Sequence, residues 1–228
     1  MRDLGKVVVN IPARAGSKRV KAKNLRDLCG APLLSYAVKC ALQCVNAENV
    51  FVNSDSSDML AIGTDLGAKE YRRSELLSSD DATGDMFTLD FIKNIQVDTL
   101  VMINPVCPLV TPKDVLNALD EFKKSDCDTL ISCEETQMQT FCDGQPVNID
   151  VTTQLEPTQN NRKIQILNWA VTIWDTSSFL SNYKEMGSAY LGKNRLLFPL
   201  DPLHGVKISN EADFLMVESI MRGLNLKA

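Results

Sequence analysis

The chain holds a single histidine, His204, and its seven cysteines, at 29, 40, 44, 107, 127, 133 and 142, form no C-x-x-C pair. A structural zinc site wants four closely grouped Cys/His ligands, and this spacing supplies none. An odd, scattered set of thiols reads as reduced cysteines rather than a disulfide framework. Cys40 and Cys44, four apart on an expected helix, share one face and are expected to pack in its core. His204 follows Pro202 in an expected loop and reads as an incidental surface residue rather than a general base. No apolar run approaches the ~20 residues that span a bilayer, and the opening MRDLGKVVVN has no signal-peptide core, so a cytoplasmic protein without membrane contact is expected. An extended basic stripe is also missing. With 24 Lys+Arg against 29 Asp+Glu the formal net charge is -5, which argues against nucleic acid as the partner. Finally, G-x-x-x-x-G-K-[ST] is absent, which excludes the P-loop of ATPases, and so is G-x-G-x-x-G, which weakens a dinucleotide reading.

What is present is an ordinary globular composition, 44% hydrophobic and 23% charged over 228 residues, enough for one substantial α/β domain with a small appendage. Continuous apolar runs of strand length occur at Lys6–Ile11, Val50–Val52, Thr99–Ile103, Thr129–Ser132 and Ala170–Trp174. Between them lie helical patterns over Pro32–Val45 and Ser57–Leu66, and a third running from Pro112 to Lys124. Thr111-Pro112-Lys113-Asp114 supplies the third with an N-cap, a first-turn proline and an acid at the third position. A last helix runs from about Asn210 to Arg222, with Asn210 as its N-cap and Asp213 at its third position. Such alternation implies an α/β fold, a doubly wound and mostly parallel sheet. Glu134–Ile166 breaks it: the segment is polar, rich in glutamine and without long apolar periods. It is too long for a simple connection and reads as a small subdomain or dimerisation arm.

In open α/β sheets ligands bind beyond the carboxyl ends of the strands. The loop after the first strand reads IPARAGSKRVKAKN and gathers Arg14, Lys18, Arg19, Lys21 and Lys23 there. Gly16 and Ser17 let backbone N–H groups turn toward an anion. From the residues alone, the loop is either a solvated basic segment or a triphosphate or sugar-phosphate site built from side-chain cations. The chemistry favours the second.

From Ala13-Arg14-Ala15-Gly16-Ser17-Lys18 to Lys23-Asn24 the loop has the form A-R-x-x-S-K-x-x-x-x-K-N, and Leu25 and Gly30-Ala31-Pro32-Leu33-Leu34 follow it. In these residues the chain resembles the acylneuraminate cytidylyltransferases, or CMP-sialic acid synthetases. Val52-Asn53-Ser54-Asp55, Arg72-Arg73-Ser74-Glu75-Leu76 and Asn104-Pro105-Val106-Cys107-Pro108-Leu109 are similar to later motifs of that family, in the same order. The resemblance implies a Rossmann-like nucleotidyltransferase domain over 1–133 and 167–228, a dimerisation and substrate arm over 134–166, and a homodimer. It implies transfer of CMP from CTP to a nine-carbon 2-keto sugar acid, with release of pyrophosphate and with Mg²⁺ neutralising phosphate charge. Arg14, Ser17, Lys18 and Lys23 would cradle the triphosphate, with Asn24 beside the nucleotide, and Arg72 and the Asp81-Ala82-Thr83 region would meet cytosine and ribose. Asn104, in place of the family's glutamine, would meet the sugar acid, as would Arg162 and Gln165 from the arm; an ion pair within the arm is the other reading of Arg162.

Two departures stand out. Trp169 occupies a position where the family commonly has glycine. Before the last helix, the family's two metal-binding aspartates are replaced by Lys207 and Ser209. A protonated lysine cannot ligate Mg²⁺, and serine is a poor sole substitute for a carboxylate. The expectation is therefore that Mg²⁺ enters on CTP and that Lys207 joins Arg14 and Lys18 as a catalytic cation. A pyrophosphorylase for another sugar, or a nucleotide-binding relative with impaired catalysis, are the alternatives.

Overall fold

The β-branched runs of the sequence become the middle of one seven-stranded sheet in a computed structural model that describes residues 1–17 and 19–226. Its strands are β1 (Val7–Pro12), β2 (Val50–Ser54), β3 (Lys69–Arg72), β4 (Thr99–Ile103), β5 (Thr129–Thr136), β6 (Ile164–Asp175) and β7 (Arg195–Pro199). They lie in the order β7-β5-β6-β4-β1-β2-β3. β1 pairs in parallel with β2 and β4, β2 with β3, and β5 with β7, whereas β6 runs antiparallel to both β4 and β5. The sheet is thus mostly parallel, as expected, with one reversed strand.

Helices cover both faces, which is why β2 and β4 are buried along their whole length. The helices are α1 (Leu33–Leu42), α2 (Ser57–Asp65), α3 (Gly84–Asn94), α4 (Pro112–Lys124), α5 (Thr176–Met186) and α6 (Glu211–Gly223). One core joins Val9, Ile11 and Val101 of the sheet to Leu34, Val38, Met59 and Phe122 of α1, α2 and α4. A second joins Val8, Phe51 and Leu100 to Phe91 and Phe179 of α3 and α5, and a third joins Leu33 of α1 and Ile208 to Phe214 and Val217 of α6. Thr111 and Asp114 close a capping box on α4, and Asn210 and Asp213 close one on α6, as their spacing foretells.

Three differences from the sequence reading have physical reasons. α1 stops at Leu42 rather than Val45, and Cys44 turns back in a single tight bond from its N–H to Ala41 O at 2.9 Å. β3, α3, α5 and β7 carry no strong apolar period and were not foreseen: β3 is a largely exposed edge strand, KEYR. The segment 134–166 is not separate at its ends, since Glu134–Thr136 and Ile164–Ile166 belong to β5 and β6 and pair antiparallel. Between them, 137–163 is held by amides rather than by a core. Buried Asn148 donates to Met138 O and Arg162 O at 2.9 and 3.0 Å, and Gln137 donates to Gln159 O and Asn161 O at 2.7 Å each.

Candidate active site

The basic loop leaves β1 at the carboxyl edge of the sheet and is pinned to β2. Ala13 N donates to Asn53 O at 3.0 Å and Ala15 N to Asp55 Oδ1 at 3.0 Å. Ala22, with φ 49, then turns the chain left-handed into a single turn at Lys23–Leu25, which buries Asn24. Folded back in this way, the loop faces the 104–106 turn after β4 across a cleft of about 370 Å³, lined by Arg14, Ser17, Arg19, Lys23, Asn24 and Asn104. Five of the residues singled out in the sequence, Arg14, Ser17, Lys23, Asn24 and Asn104, therefore meet in one place.

The cleft is cationic. Lys23 Nζ donates to Ile208 O at 2.8 Å, which brings the 207–209 segment against it. Burial, and after it the charges of Arg19 and Lys207, push the Lys23 ammonium below the usual lysine range. Charges so arranged repel each other until an anion arrives, so the site is poised for one. Asn24 Nδ2 donates to Arg14 O at 3.5 Å while its Oδ1 is buried without a partner, an acceptor left over for a ligand. Cys107 beneath is buried, and burial pushes its thiol up to about 12, so it is inert packing.

Arg14 stands between this cleft and a second hollow of about 500 Å³ lined by Gly16, Lys21, Ser78 and Asp80. Its Nη1 donates to Ser79 O at 3.1 Å and Asp80 Oδ1 at 3.0 Å. Lys18 lies outside the described residues.

The remaining expected residues do not line the cleft. Arg72 is exposed and donates to Asp55 O at 3.3 Å and Ser57 Oγ at 3.1 Å. Thr83 caps α3, accepting from Met86 N at 3.3 Å. Gln165 donates to Glu135 Oε1 at 3.0 Å, and Arg162 is an exposed residue bordering a hollow of the arm. Ser209 N donates to Asp213 Oδ2 at 2.7 Å, so the Asp213 carboxylate is absorbed in the cap of α6. Among the described residues no group of three His, Cys, Asp or Glu side chains is placed to hold a metal ion. His204 corrects the sequence reading: it is half-buried, with Nδ1 2.9 Å from Asp114 Oδ2 at the start of α4, because the 201–206 loop folds onto that cap.

Arg73, not Arg72, is the arginine the sequence reading missed. It is 5% exposed, donates to Asn53 Oδ1 at 2.8 Å and Asn53 O at 3.1 Å, and lies 4.5 Å over the Phe87 ring. Burial holds its pKa down to about 10, offset first by the Asp55 charge. The adjacent arginines gave no signal of which turns inward; only the pleat of β3 decides it.

A doubly wound sheet with one reversed strand, and a cationic cleft at its carboxyl edge, defines the nucleotidyltransferase class of α/β folds. CMP:2-keto-3-deoxy-manno-octonic acid synthetase, solved with CTP, has the same fold at TM-score 0.75, with 17% identity over 96% of this chain and 100% of that one. The cytidylyltransferase family model matches residues 8–209, and the chain belongs to that family. It is 26% identical to CMP-N,N'-diacetyllegionaminic acid synthase of Legionella pneumophila over 98% of this chain and 99% of the relative. It is 25% identical to N-acylneuraminate cytidylyltransferase A of Danio rerio over 91% of this chain, and spans 49% of that relative.

Proposed function

We propose that this cytidylyltransferase transfers CMP from CTP to a nine-carbon 2-keto sugar acid and releases pyrophosphate. The observation that carries the reading is the convergence of Arg14 and Lys23 with the amides of Asn24 and Asn104 in one cleft, with Lys207 near enough for its charge to push the Lys23 ammonium down. The anomeric hydroxyl of the sugar acid attacks the α-phosphorus in line and gives up its proton to solvent, and the bond from the α-phosphorus to the α–β bridging oxygen breaks, so that this oxygen leaves as a terminal oxygen of pyrophosphate. Catalysis is then positioning plus electrostatic stabilisation of phosphate charge. Arg14, Ser17, Lys18 and Lys23 hold the phosphates, Asn24 the nucleotide and Asn104 the sugar acid.

The donor set around Lys207 and Ser209 does not fit a protein-held divalent cation. Mg²⁺ accordingly enters as part of the CTP substrate, and Lys207 supplies a fixed positive charge from the protein. The arm is the homodimer contact and carries Arg162 and Gln165 toward a sugar acid. Its exposed apolar side chains support this: Met138, Phe141, Leu155 and Ile166 are 71%, 54%, 60% and 50% exposed. No helix among the described residues is long and apolar enough to cross a membrane; as a consumer of CTP, the protein is assigned to the cytoplasm.

The test is pyrophosphate release from CTP, ATP, GTP and UTP, each offered with N-acetylneuraminic, N,N'-diacetyllegionaminic and pseudaminic acids. Release only with CTP plus a keto sugar acid supports the reading. CTP binding without release with any acid would make the chain a nucleotide-binding relative instead.

A further inference from the structure

Between β7 and α6 the chain crosses residues 200–210 without regular structure. The far end of this strap is held at the cleft. Ile208 N donates to Val106 O at 2.8 Å, Ile208 O accepts from Lys23 Nζ at 2.8 Å, and the Ile208 side chain is fully buried. Lys207 is thereby placed where its charge acts on Lys23. Residues 201–206 have no such hold. Leu203 N donates to Asp201 Oδ1 at 2.8 Å and Gly205 N to Asp201 O at 3.0 Å, so these bonds stay inside the strap. Behind it lies a hollow of about 700 Å³ instead of a packed core, lined by Leu203 and His204 with Tyr36, Leu109 and Met221.

Two contacts set the place of 201–206. On one side Gly205 lies against the bulge of β6 around Trp169, where the register with β5 shifts between Leu167 and Thr172. A Cβ at Gly205 would collide with Asn168 Nδ2, and Asn168 Oδ1 accepts from Ser132 Oγ at 2.6 Å. That contact is one of shape, and it stops the strap from moving one way only. On the other side His204 Nδ1 stands 2.9 Å from Asp114 Oδ2. The same oxygen accepts from Thr111 N at 2.8 Å and Thr111 Oγ1 at 2.6 Å, so the carboxylate is already fixed by the cap of α4. His204 Nδ1 is buried and has no partner besides this carboxylate. Among the described residues it is the one polar contact from 201–206 to another part of the chain. A loop backed by a void and fastened at a single polar point to a rigid helix behaves as a latch.

We propose that His204 is a positioning residue for the cations of the cleft: its contact with Asp114 latches residues 201–206 and so keeps Lys207 and the Ile208 carbonyl at Lys23. The proposal rests on the reading above that this cleft takes CTP. Lys23 is where the latch can be read. Around its ammonium stand Arg19 and Lys207, which push it down, and Cys107 and Asp213, which draw it up. A released strap carries Lys207 away, and the Lys23 pKa rises. Coupling of this kind is reciprocal: if the latched strap favours CTP, bound CTP favours the latched strap.

The test titrates CTP by calorimetry across pH into the wild type, His204→Ala, Lys207→Ala, the double variant, and His204→Gln, whose amide donor can still reach Asp114. In His204→Ala the affinity for CTP is expected to fall about fivefold, and its alkaline limb to move to higher pH, the direction expected of Lys207→Ala. His204→Gln should bring the wild-type limb back. The double variant should shift the limb by less than the two single shifts together, because the latch acts through Lys207. A merely structural role would lower the amount of active protein and leave the limb in place. A wild-type limb in His204→Ala, no return of it in His204→Gln, or single shifts that simply add overturns the proposal while CTP binding stands. If His204→Ala does not fold, the wild type decides alone. His204 is the single histidine of the chain, so its ring protons are identified by magnetic resonance without a variant. They should shift when CTP binds, although His204 does not line the cleft, and an unmoved signal overturns the proposal. If the wild type binds no CTP, the reading of the cleft itself is refuted and the proposal falls with it.

Discussion

Arg14 Nη1 and Asp80 Oδ1 are 3.0 Å apart, so the first cation of the basic loop is held by a carboxylate at the lip of the cleft. Both side chains are over a third exposed, and such a pair contributes under about 1 kcal/mol. A triphosphate can therefore take Arg14 from Asp80 at little cost. Asp80→Asn is expected to tighten CTP binding about threefold at low salt and to change the melting temperature by less than about 3 °C. Arg14→Ala should weaken CTP binding ten- to a hundred-fold, about 1.5–3 kcal/mol for a lost charge-assisted contact. Calorimetry on both variants checks the pair, and unchanged affinity in Arg14→Ala would remove Arg14 from the site.

CTP binding should carry an alkaline limb set by Lys23. Its pKa in the free protein lies below 10.5, through burial first and then Arg19 and Lys207. The phosphates raise it again, so the complex holds the proton more tightly than the free protein does. Affinity is therefore full below the lowered pKa and is lost as pH rises through it, earlier than for an ordinary lysine. Isothermal titrations across pH should show the limb in the wild type and none in Lys23→Arg. Lys207→Ala should move the limb to higher pH by removing one repelling charge. It should also lower turnover roughly tenfold, the loss of one contact to charged phosphate; wild-type turnover in Lys207→Ala would remove it from catalysis.

Arg73→Ala should act on stability rather than on the reaction's proton balance. It strands the buried Asn53 Oδ1 and strips the cover from Phe87. The expected loss is about 2–4 kcal/mol, or roughly 5–12 °C in melting temperature for a chain of this size. A shift of under 2 °C would show that water replaces the guanidinium.

Much of the site was legible in the sequence because it is local. Arg14, Ser17, Lys23 and Asn24 sit within one loop whose place after a buried strand fixes where they point, and Asn104 follows the buried strand β4 in the same way. What stayed hidden depends on pairing. Nothing near Trp169 in the chain announces a bulge, since the register shift involves Ser132, far away in sequence. Arg73 was concealed by its twin, because burial at a strand end follows from the pleat. His204 read as a surface residue because Asp114 is remote in sequence and meets it only when the 201–206 loop folds back. α3 and α5 were missed for a plainer reason: each buries a narrow face, with Thr88, Phe91 and Ile92 in one and Thr176, Phe179 and Asn182 in the other.

Light scattering is expected to return twice the chain mass at micromolar concentration. Phe141→Glu combined with Leu155→Glu, both exposed positions of the arm, should return one chain mass with the circular dichroism unchanged. CTP affinity should stay within threefold in that variant, because the cleft is built from one chain. The KM for the sugar acid should rise about tenfold, since Arg162 and Gln165 lose their placement. A dimer that survives both charges would move the contact elsewhere.

Because β6 runs against its neighbours, the chain leaves the carboxyl edge of the sheet at Thr136 and re-enters that same edge at Ile164. The residues between them form a detachable module: they can lengthen, shorten or be exchanged without shifting any strand of the parallel core. If the arm meets the sugar acid as proposed, grafting 137–163 from a relative should alter the KM for the sugar acid and leave that for CTP within threefold. The nucleotide half of the machinery, encoded elsewhere in the chain, would be inherited unchanged.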